Sequence, residues 1–271
     1  MYPYNAKNPL KEEYMMQSVL EYNAYTMGIA KIAGAAMCEA YNIQYGTNFL
    51  CLALNNLYGT RANFDFGKSR VLPALLRKFH LAKMLEDDNL NAVLQDLDMN
   101  ESDAKNILDN FGISKDSVEI WGTGKVRREF IHSDDLADGS IFVMQNVDFK
   151  DLSTDKNPQN THINIGSGVD YSIAEVAKIA KDIVGFKGEL KFNPSRPDST
   201  MDRLMDVSKI HSLGWKHKIN LEEGIKMMYK WYLNNHRWGG VERKFEYLIH
   251  YRFISSNNPN YITDHKRICN G

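Results

Sequence analysis

The chain has 271 residues, 43% of them hydrophobic, and its 33 Lys and Arg against 34 Asp and Glu leave a net charge of −1. At roughly 100–200 residues per domain this is one large domain or two small ones with a sizeable core, and the balanced charge gives no reason to expect a nucleic acid partner. Cys38, Cys51 and Cys269 are too few and too scattered for a disulfide framework or a paired-cysteine metal site, which fits the cytoplasm. The first residues carry no basic-then-apolar leader and no apolar run approaches the ~18 residues of a membrane span, so no membrane partner is expected.

Residues 1–22 are punctuated by proline and irregular. Over 24–45, Ala30, Ala33, Gly34, Met37, Cys38 and Tyr41 recur at helical spacing, which predicts one close-packed helix. Residues 49–54 are apolar on both faces, as in a buried parallel strand. Residues 55–60 follow as a loop, and ligands of open α/β sheets sit at such strand ends. Over 71–84 apolar residues alternate at helical intervals with Arg77, Lys78 and Lys83, an amphipathic helix. From 85 to 115 the chain turns acidic and polar, which reads as an inserted helical excursion on the surface.

The stretch from Trp121 to Ala137 carries the most chemistry. Gly122 and Gly124 let the backbone turn where a side chain would clash, and the turn leads into a helix opened by Ser133-Asp-Asp-Leu. Beside it stand Arg127 and Arg128, which can grip diphosphate oxygens through paired hydrogen bonds, and the aromatic face of Trp121. This combination suits a nucleotide-linked sugar. Asp134 and Asp135 fall in a first helical turn, where carboxylates oppose the helix dipole favourably, and that structural role is preferred to catalysis. His80 and His132 read as packed or capping residues.

Further along, residues 162–165 predict a short strand ending at Gly166-Ser-Gly168. Ser172 and Glu175 form a capping box for a helix closed by Gly185. A strand over 189–193, a short helix over 207–213 and an amphipathic helix over 221–233 capped by Asn220 complete the pattern. The alternation of strands and helices places the chain in the α/β class. A polar, aromatic-spotted tail over 235–271 has no readable role. No HExxH, paired-cysteine or carboxylate cluster with metal-ligand spacing occurs.

The ordered set Lys31-Ile-Ala-Gly34, Asn55-Asn-Leu-Tyr-Gly59, Val71-Leu-Pro-Ala-Leu-Leu-Arg-Lys-Phe-His80, Trp121-Gly-Thr-Gly124, Arg128-Glu-Phe-Ile-His132 and His162-Ile-Asn-Ile-Gly-Ser-Gly168 resembles the GDP-L-fucose synthase family. Arg196-Pro-Asp-Ser-Thr200 and Leu213-Gly-Trp215 extend the likeness, which spans residues 2–234 and is most similar to bacterial GDP-heptose 4-reductases. The resemblance implies an extended short-chain dehydrogenase/reductase that uses NADP. Its sheet would be an incomplete Rossmann-like one, joined to a smaller C-terminal α/β substrate-binding domain. Residues 1–65 would be the C-terminal part of the dinucleotide-binding domain. Residues 66–234 would be mainly the GDP-sugar domain, with an inserted helical segment at 85–117 and some segments returning to the first domain. The glycine-rich strand, turn and helix that receive a dinucleotide pyrophosphate do not occur here. Met1-Tyr-Pro lines up just after the family's serine-containing loop, so the chain is expected to be the back two-thirds of such an enzyme, with NADP binding by this chain alone in question.

In the short-chain reductases a tyrosine four residues before a lysine protonates the ketone oxygen, because positions i and i+4 share one helical face. The resemblance assigns the lysine to Lys31. Met27 stands at the tyrosine position, and a thioether has no proton to give. Tyr25, six residues before Lys31, is the remaining candidate acid. The family's epimerising histidine corresponds to Arg70, which stays protonated and cannot act as a general base. On the same resemblance, Lys31, Leu54, Asn55, Asn56, Leu57 and Arg70 are the expected cofactor-side residues. Lys78, Trp121, Arg128, Asp198 and Arg203 are the expected GDP-sugar residues.

Three readings follow. The first is NADPH-dependent reduction of a GDP-4-keto-6-deoxy sugar or heptose, as a homodimer or with the missing part supplied elsewhere. The second is a non-catalytic remnant that retains the GDP-sugar site. The third is the epimerase-reductase GDP-L-fucose synthase itself, which Arg70 and Met27 disfavour.

Overall fold

The computed structural model describes residues 1–153, 159–196 and 198–235; the tail from 236 onward lies outside the described residues. Helices α1 (Tyr25–Tyr45), α2 (Val71–Glu86), α3 (Leu90–Leu97), α4 (Glu101–Asn110), α5 (Ser133–Asn146), α6 (Phe149–Leu152), α7 (Ile173–Val184), α8 (Ser208–Ser212) and α9 (Leu221–Asn235) alternate with seven short strands. These are β1 (Leu52–Leu54), β2 (Asn56–Tyr58), β3 (Ser117–Trp121), β4 (Arg127–His132), β5 (Ile163–Ile165), β6 (Asp170–Ser172) and β7 (Glu189–Asn193).

The strands form three small sheets. β1 pairs in parallel with β5, with Leu52 opposite Ile163 and Leu54 opposite Ile165. β2 runs parallel to β4, with Asn56 opposite Phe130, and β6 runs antiparallel on the other side of β4, with Arg128 opposite Tyr171. β3 pairs in parallel with β7. Parallel pairs joined through helices make this an α/β fold.

Two hydrophobic clusters hold the described residues together. The larger joins α2, α3, α4, α7, α9 and β3 through Leu72, Leu76, Phe79, Val93, Leu108, Val118, Val176, Ile225 and Met228. The smaller joins β1, β5, α5 and α8 through Ala53, Ile131, Val143, Ile163, Ile165, Ile210 and Trp215. Several ends are set as the sequence predicts. Ser172 and Glu175 close a reciprocal capping box, Gly185 ends α7 in the left-handed region, and the Asn220 side chain accepts from the Glu223 N–H at 2.9 Å.

Four expectations need correction. The segment 55–60 contains β2, because Asn56 to Tyr58 finds β4 as a parallel neighbour instead of looping away. The Gly122–Gly124 turn leads into strand β4, and α5 begins only after it. The insert at 85–117 is not confined to the surface: Val93, Leu97, Ala104, Leu108 and Ile113 face the larger core beneath an acidic exterior. Helix α1 forms over the predicted span but is not close-packed. Only Gly28, Ile32, Ala35 and Asn42 are buried, while Ala30, Ala33, Gly34, Met37 and Tyr41 are exposed, since none of the described elements covers that face. Asn42 pins the helix end to the next segment, accepting from the Phe49 N–H and donating to the Phe49 carbonyl, both at 2.8 Å.

Candidate functional site

Two cavities flank the ends of β1 and β2. The first, about 490 Å³, opens between α1 and β1 and is lined by Lys31, Gly34, Cys38, Cys51, Leu54, Asn55 and Arg203 among others. Lys31 and Arg203 supply its basic side chains, and the Arg203 guanidinium pairs with Glu21 at 2.9 Å. The second, about 560 Å³, lies between α2 and β4 and is lined by Asn55, Asn56, Leu57, Arg70, Trp121, Gly124, Arg128, Phe130, Asp198 and Ser199 among others. Asn55 lines both cavities and forms the partition between them.

The expected cofactor-side residues thus divide. Lys31, Leu54 and Asn55 meet at the first cavity, whereas Asn56, Leu57 and Arg70, the N-cap of α2, reach the second. Tyr25 is the exposed first residue of α1 and lines neither cavity; Met27, on the same turn, is exposed as well.

Of the expected sugar-side residues, Trp121, Arg128 and Asp198 converge on the second cavity, Arg203 lies on the first, and Lys78 is turned away from both. Lys78 is buried and donates to the Glu119 carbonyl at 2.8 Å, with its ammonium over the Phe111 and Trp121 rings at 5.8 and 5.4 Å. Burial lowers its pKa to about 8, against a smaller opposing pull from Glu119. Trp121 stacks on Phe111, with 6.0 Å between centroids, and the Arg196 guanidinium covers its ring at 4.8 Å. Arg128 donates to Ser199 Oγ at 2.6 Å and to the carbonyls of Arg127 and Met201. Burial and then Arg203 lower its pKa.

Asp198 accepts the backbone N–H of Thr123 at 3.0 Å and its hydroxyl at 2.5 Å, bonds that hold its carboxyl below the usual range. A Cβ on Gly122, at φ +84°, would stand 2.3 Å from Asp198 Oδ1, which is why this turn takes glycine. His132 caps α5 by accepting from the Asp134 N–H at 3.2 Å, and His80 packs against Tyr229 and Tyr232, as the sequence indicates. Asp135 is buried, accepting the N–H groups of Lys218 and Ile219 at 3.0 and 2.9 Å, which joins α5 to the approach of α9.

Sequence reasoning passed over three participants: Arg196, Phe111 and Glu129. Phe111 comes from the insert, and no local spacing ties it to Trp121. Glu129 is a fully buried carboxylate beneath Asn55. Burial raises its pKa, opposed by hydrogen bonds from the backbone of Met205 and Gly168, the Asn55 amide and the Ser167 backbone. One sequence signal was available, a lone acid between Arg128 and the apolar pair Phe130 and Ile131 in a strand that must be buried.

The first cavity fits the nicotinamide–ribose end of a dinucleotide, offering the Lys31 ammonium, the Asn55 amide and the half-exposed Leu54 surface. Among the described residues neither Gly122-Thr-Gly124 nor Gly166-Ser-Gly168 is a pyrophosphate turn, since each joins a strand to a strand. Nor do the described residues group three or more His, Cys, Asp or Glu that could hold a metal ion, and no described helix is long and apolar enough to cross a membrane.

The sequence pattern of the NAD dependent epimerase/dehydratase family matches residues 1–166. GDP-L-fucose synthase of Escherichia coli K12 is 40% identical over 235 residues, which are 87% of this chain and 64% of that protein. The crystal structure of a GDP-6-OMe-4-keto-L-xylo-heptose reductase from C. jejuni superposes with a TM-score of 0.84 at 74% identity, covering 87% of this chain and 68% of that one. GDP-mannoheptose C4 reductase from Campylobacter jejuni with NADP bound gives a TM-score of 0.78 at 72% identity, covering 86% and 67%. The chain therefore spans about two-thirds of the length of these relatives.

Proposed function

We propose, from the premise that the chain belongs to the NAD dependent epimerase/dehydratase family, that it serves NADPH-dependent reduction of a GDP-linked 4-keto sugar, a heptose in preference to a 6-deoxyhexose. The observation that supports this most is the pair of cavities sharing Asn55, one basic through Lys31, the other walled by Trp121 and Arg128. The high identity to solved GDP-heptose reductases supports the sugar class.

A reduced nicotinamide held by Lys31, Leu54 and Asn55 would supply the hydride. The chain's own groups bind, orient and charge the reactants around it. Arg128, held by Ser199 and by backbone carbonyls, presents a cation to the diphosphate, and Trp121 offers its ring to the nucleotide. Asn55 places an amide at the junction where a ketone carbon would meet the hydride donor. Lys31 sets positive charge, and a proton, beside the oxygen that hydride addition makes basic. Arg70 is a permanent cation and removes no proton from the carbons flanking the ketone, which favours reduction without epimerisation.

Calorimetric titration with GDP, followed by an NADPH oxidation assay with a GDP-4-keto-heptose, tests this. Heat with GDP, a tenfold or greater loss of affinity in Arg128→Ala, and turnover of the heptose are the expected results; about 1.4 kcal/mol corresponds to each tenfold. Absence of a GDP signal from folded protein removes the proposal. A GDP signal without turnover selects the second reading, a binding remnant, which Met27 in place of the tyrosine and the position of Tyr25 outside both cavities favour.

A further inference from the structure

The buried Glu129 side chain touches three segments that meet beside Asn55. Its Oε1 accepts the Gly168 N–H at 2.7 Å, and its Oε2 accepts the Met205 N–H at 2.9 Å and the Asn55 side-chain amide at 3.4 Å. The other proton of that amide goes to the Arg203 carbonyl at 2.6 Å. The Glu129 carbonyl accepts from the Asn56 amide at 2.9 Å, so the pair Asn55 and Asn56 is tied to this residue through both its side chain and its backbone. A Cβ on Gly166 would stand 2.2 Å from Oε1, which means the 166–168 turn is shaped around the carboxylate.

Burying a carboxylate costs free energy that hydrogen bonds recover only in part, and an apolar side chain fills such a place more cheaply. A buried acid that satisfies itself on three separate segments gains little for stability but fixes their relative placement closely. The placement matters here because Asn55 faces both cavities and Arg203 lines the first. Hydride transfer needs reacting atoms about 3–3.5 Å apart, and a misplacement of about 1 Å costs on the order of 100-fold in rate.

We propose that Glu129 is a positioning residue that holds Asn55 in the wall between the nicotinamide-side and sugar-side cavities and so sets the gap across which hydride passes. The proposal rests on the reductase reading for its catalytic consequence, while its structural consequence is testable without it.

Glu129→Gln keeps the volume and exchanges an acceptor for a donor, so either the Gly168 N–H, or the Met205 N–H together with the Asn55 amide, loses its partner. The expected result, per folded molecule, is a fall in kcat of at least tenfold with KM for the GDP-keto sugar and the affinity for GDP within twofold of the parent. In 15N-resolved NMR, the Asn55 side-chain amide pair, assigned through its loss in Asn55→Asp, should shift and exchange with solvent at least tenfold faster. Ile210→Val, buried in the smaller core, controls for lost stability and should leave kcat and the Asn55 signals in place. If Glu129→Gln does not fold, Glu129→Asp, which retains the charge but shortens the reach, is read by the same measurements. Unchanged kcat with unmoved Asn55 signals overturns the proposal, as does a loss confined to KM. Should the parent protein bind GDP without turning over a keto sugar, the reductase reading fails separately and the Asn55 signals alone decide: movement supports the clamp, and no movement overturns it.

Discussion

Helices α2 and α1 are both apolar at helical spacing, yet α2 buries Leu72, Leu75, Leu76 and Phe79 while α1 buries only Gly28, Ile32, Ala35 and Asn42 and leaves Ile29, Met37, Tyr41 and Ile43 exposed. The difference lies outside the two helices. α2 packs on α7, α3 and β3, which come from three later parts of the chain, whereas no described element crosses the outward face of α1. Periodicity reports which face a helix can bury; whether anything covers that face is decided by segments distant in sequence. The two cavities inherit the same contrast, the one beside α2 being framed by a closed core and the one beside α1 by a helix bound along one stripe.

The largest expected effect lies in the closed core. Leu76 is completely buried among the larger cluster, and Leu76→Ala should destabilise the chain by about 2–5 kcal/mol through lost transfer energy and the cavity left behind. Urea denaturation measures it. A loss below about 1 kcal/mol would mean that this lobe is as loosely covered as α1 and would erase the contrast.

Next in size is a pH effect in the same lobe. Lys78 releases its proton near pH 8 in the folded chain, against about 10.5 when unfolded. Between those values the unfolded state binds more protons, so stability rises with pH, by roughly 1.4 kcal/mol per pH unit at the steepest. Below about pH 8 both states are protonated and the full burial penalty remains. Lys78→Met should therefore gain most over the parent near neutrality and lose that advantage by about pH 10. Parallel pH slopes for the two proteins would show that the ammonium is solvated rather than held under Phe111 and Trp121.

These effects separate what the sequence could disclose from what it could not. The ends of α7 and α9 were legible because Ser172, Glu175, Gly185 and Asn220 act on groups within three or four residues. Strands β5 and β7 were legible as short runs between turns. Strand β4 was not, since it opens on the half-buried Arg127 and Arg128 and carries Glu129 into the interior, and the partners that make this tolerable lie at 168, 170 and 205. At the site, Trp121 and Arg128 were legible by residue type, and Asp198 joined them only through the family resemblance. The inward turn of Lys78 toward Glu119, and the reach of Phe111 from the insert, depend on side-chain packing that no local pattern encodes.

A smaller effect marks the edge of local reasoning. Ser172→Ala removes the acceptor of the Glu175 N–H, and Glu175 loses its bond to the serine hydroxyl. The expected cost is about 1 kcal/mol, seen as a lowered Tm with the far-ultraviolet spectrum unchanged. Because Glu175 also pairs with Arg127 at 3.3 Å, a cost well above that would show that the cap helps fix β4 as well as α7.

The smallest effect bears most directly on α1. Met37 is 59% exposed near the middle of that helix, and glutamate forms helix about as readily as methionine. If the outward face of α1 is solvated, Met37→Glu changes stability by no more than about 0.5 kcal/mol, the range of ordinary surface substitutions. The same charge placed on a face pressed against apolar surface is desolvated without a partner and costs several times that. The measured sign and size, at two protein concentrations, therefore separate a helix that stands bare from one that is covered in solution. A concentration-dependent loss would make the exposed stripe of α1 a contact surface, and the contrast with α2 would become one of when each face is buried.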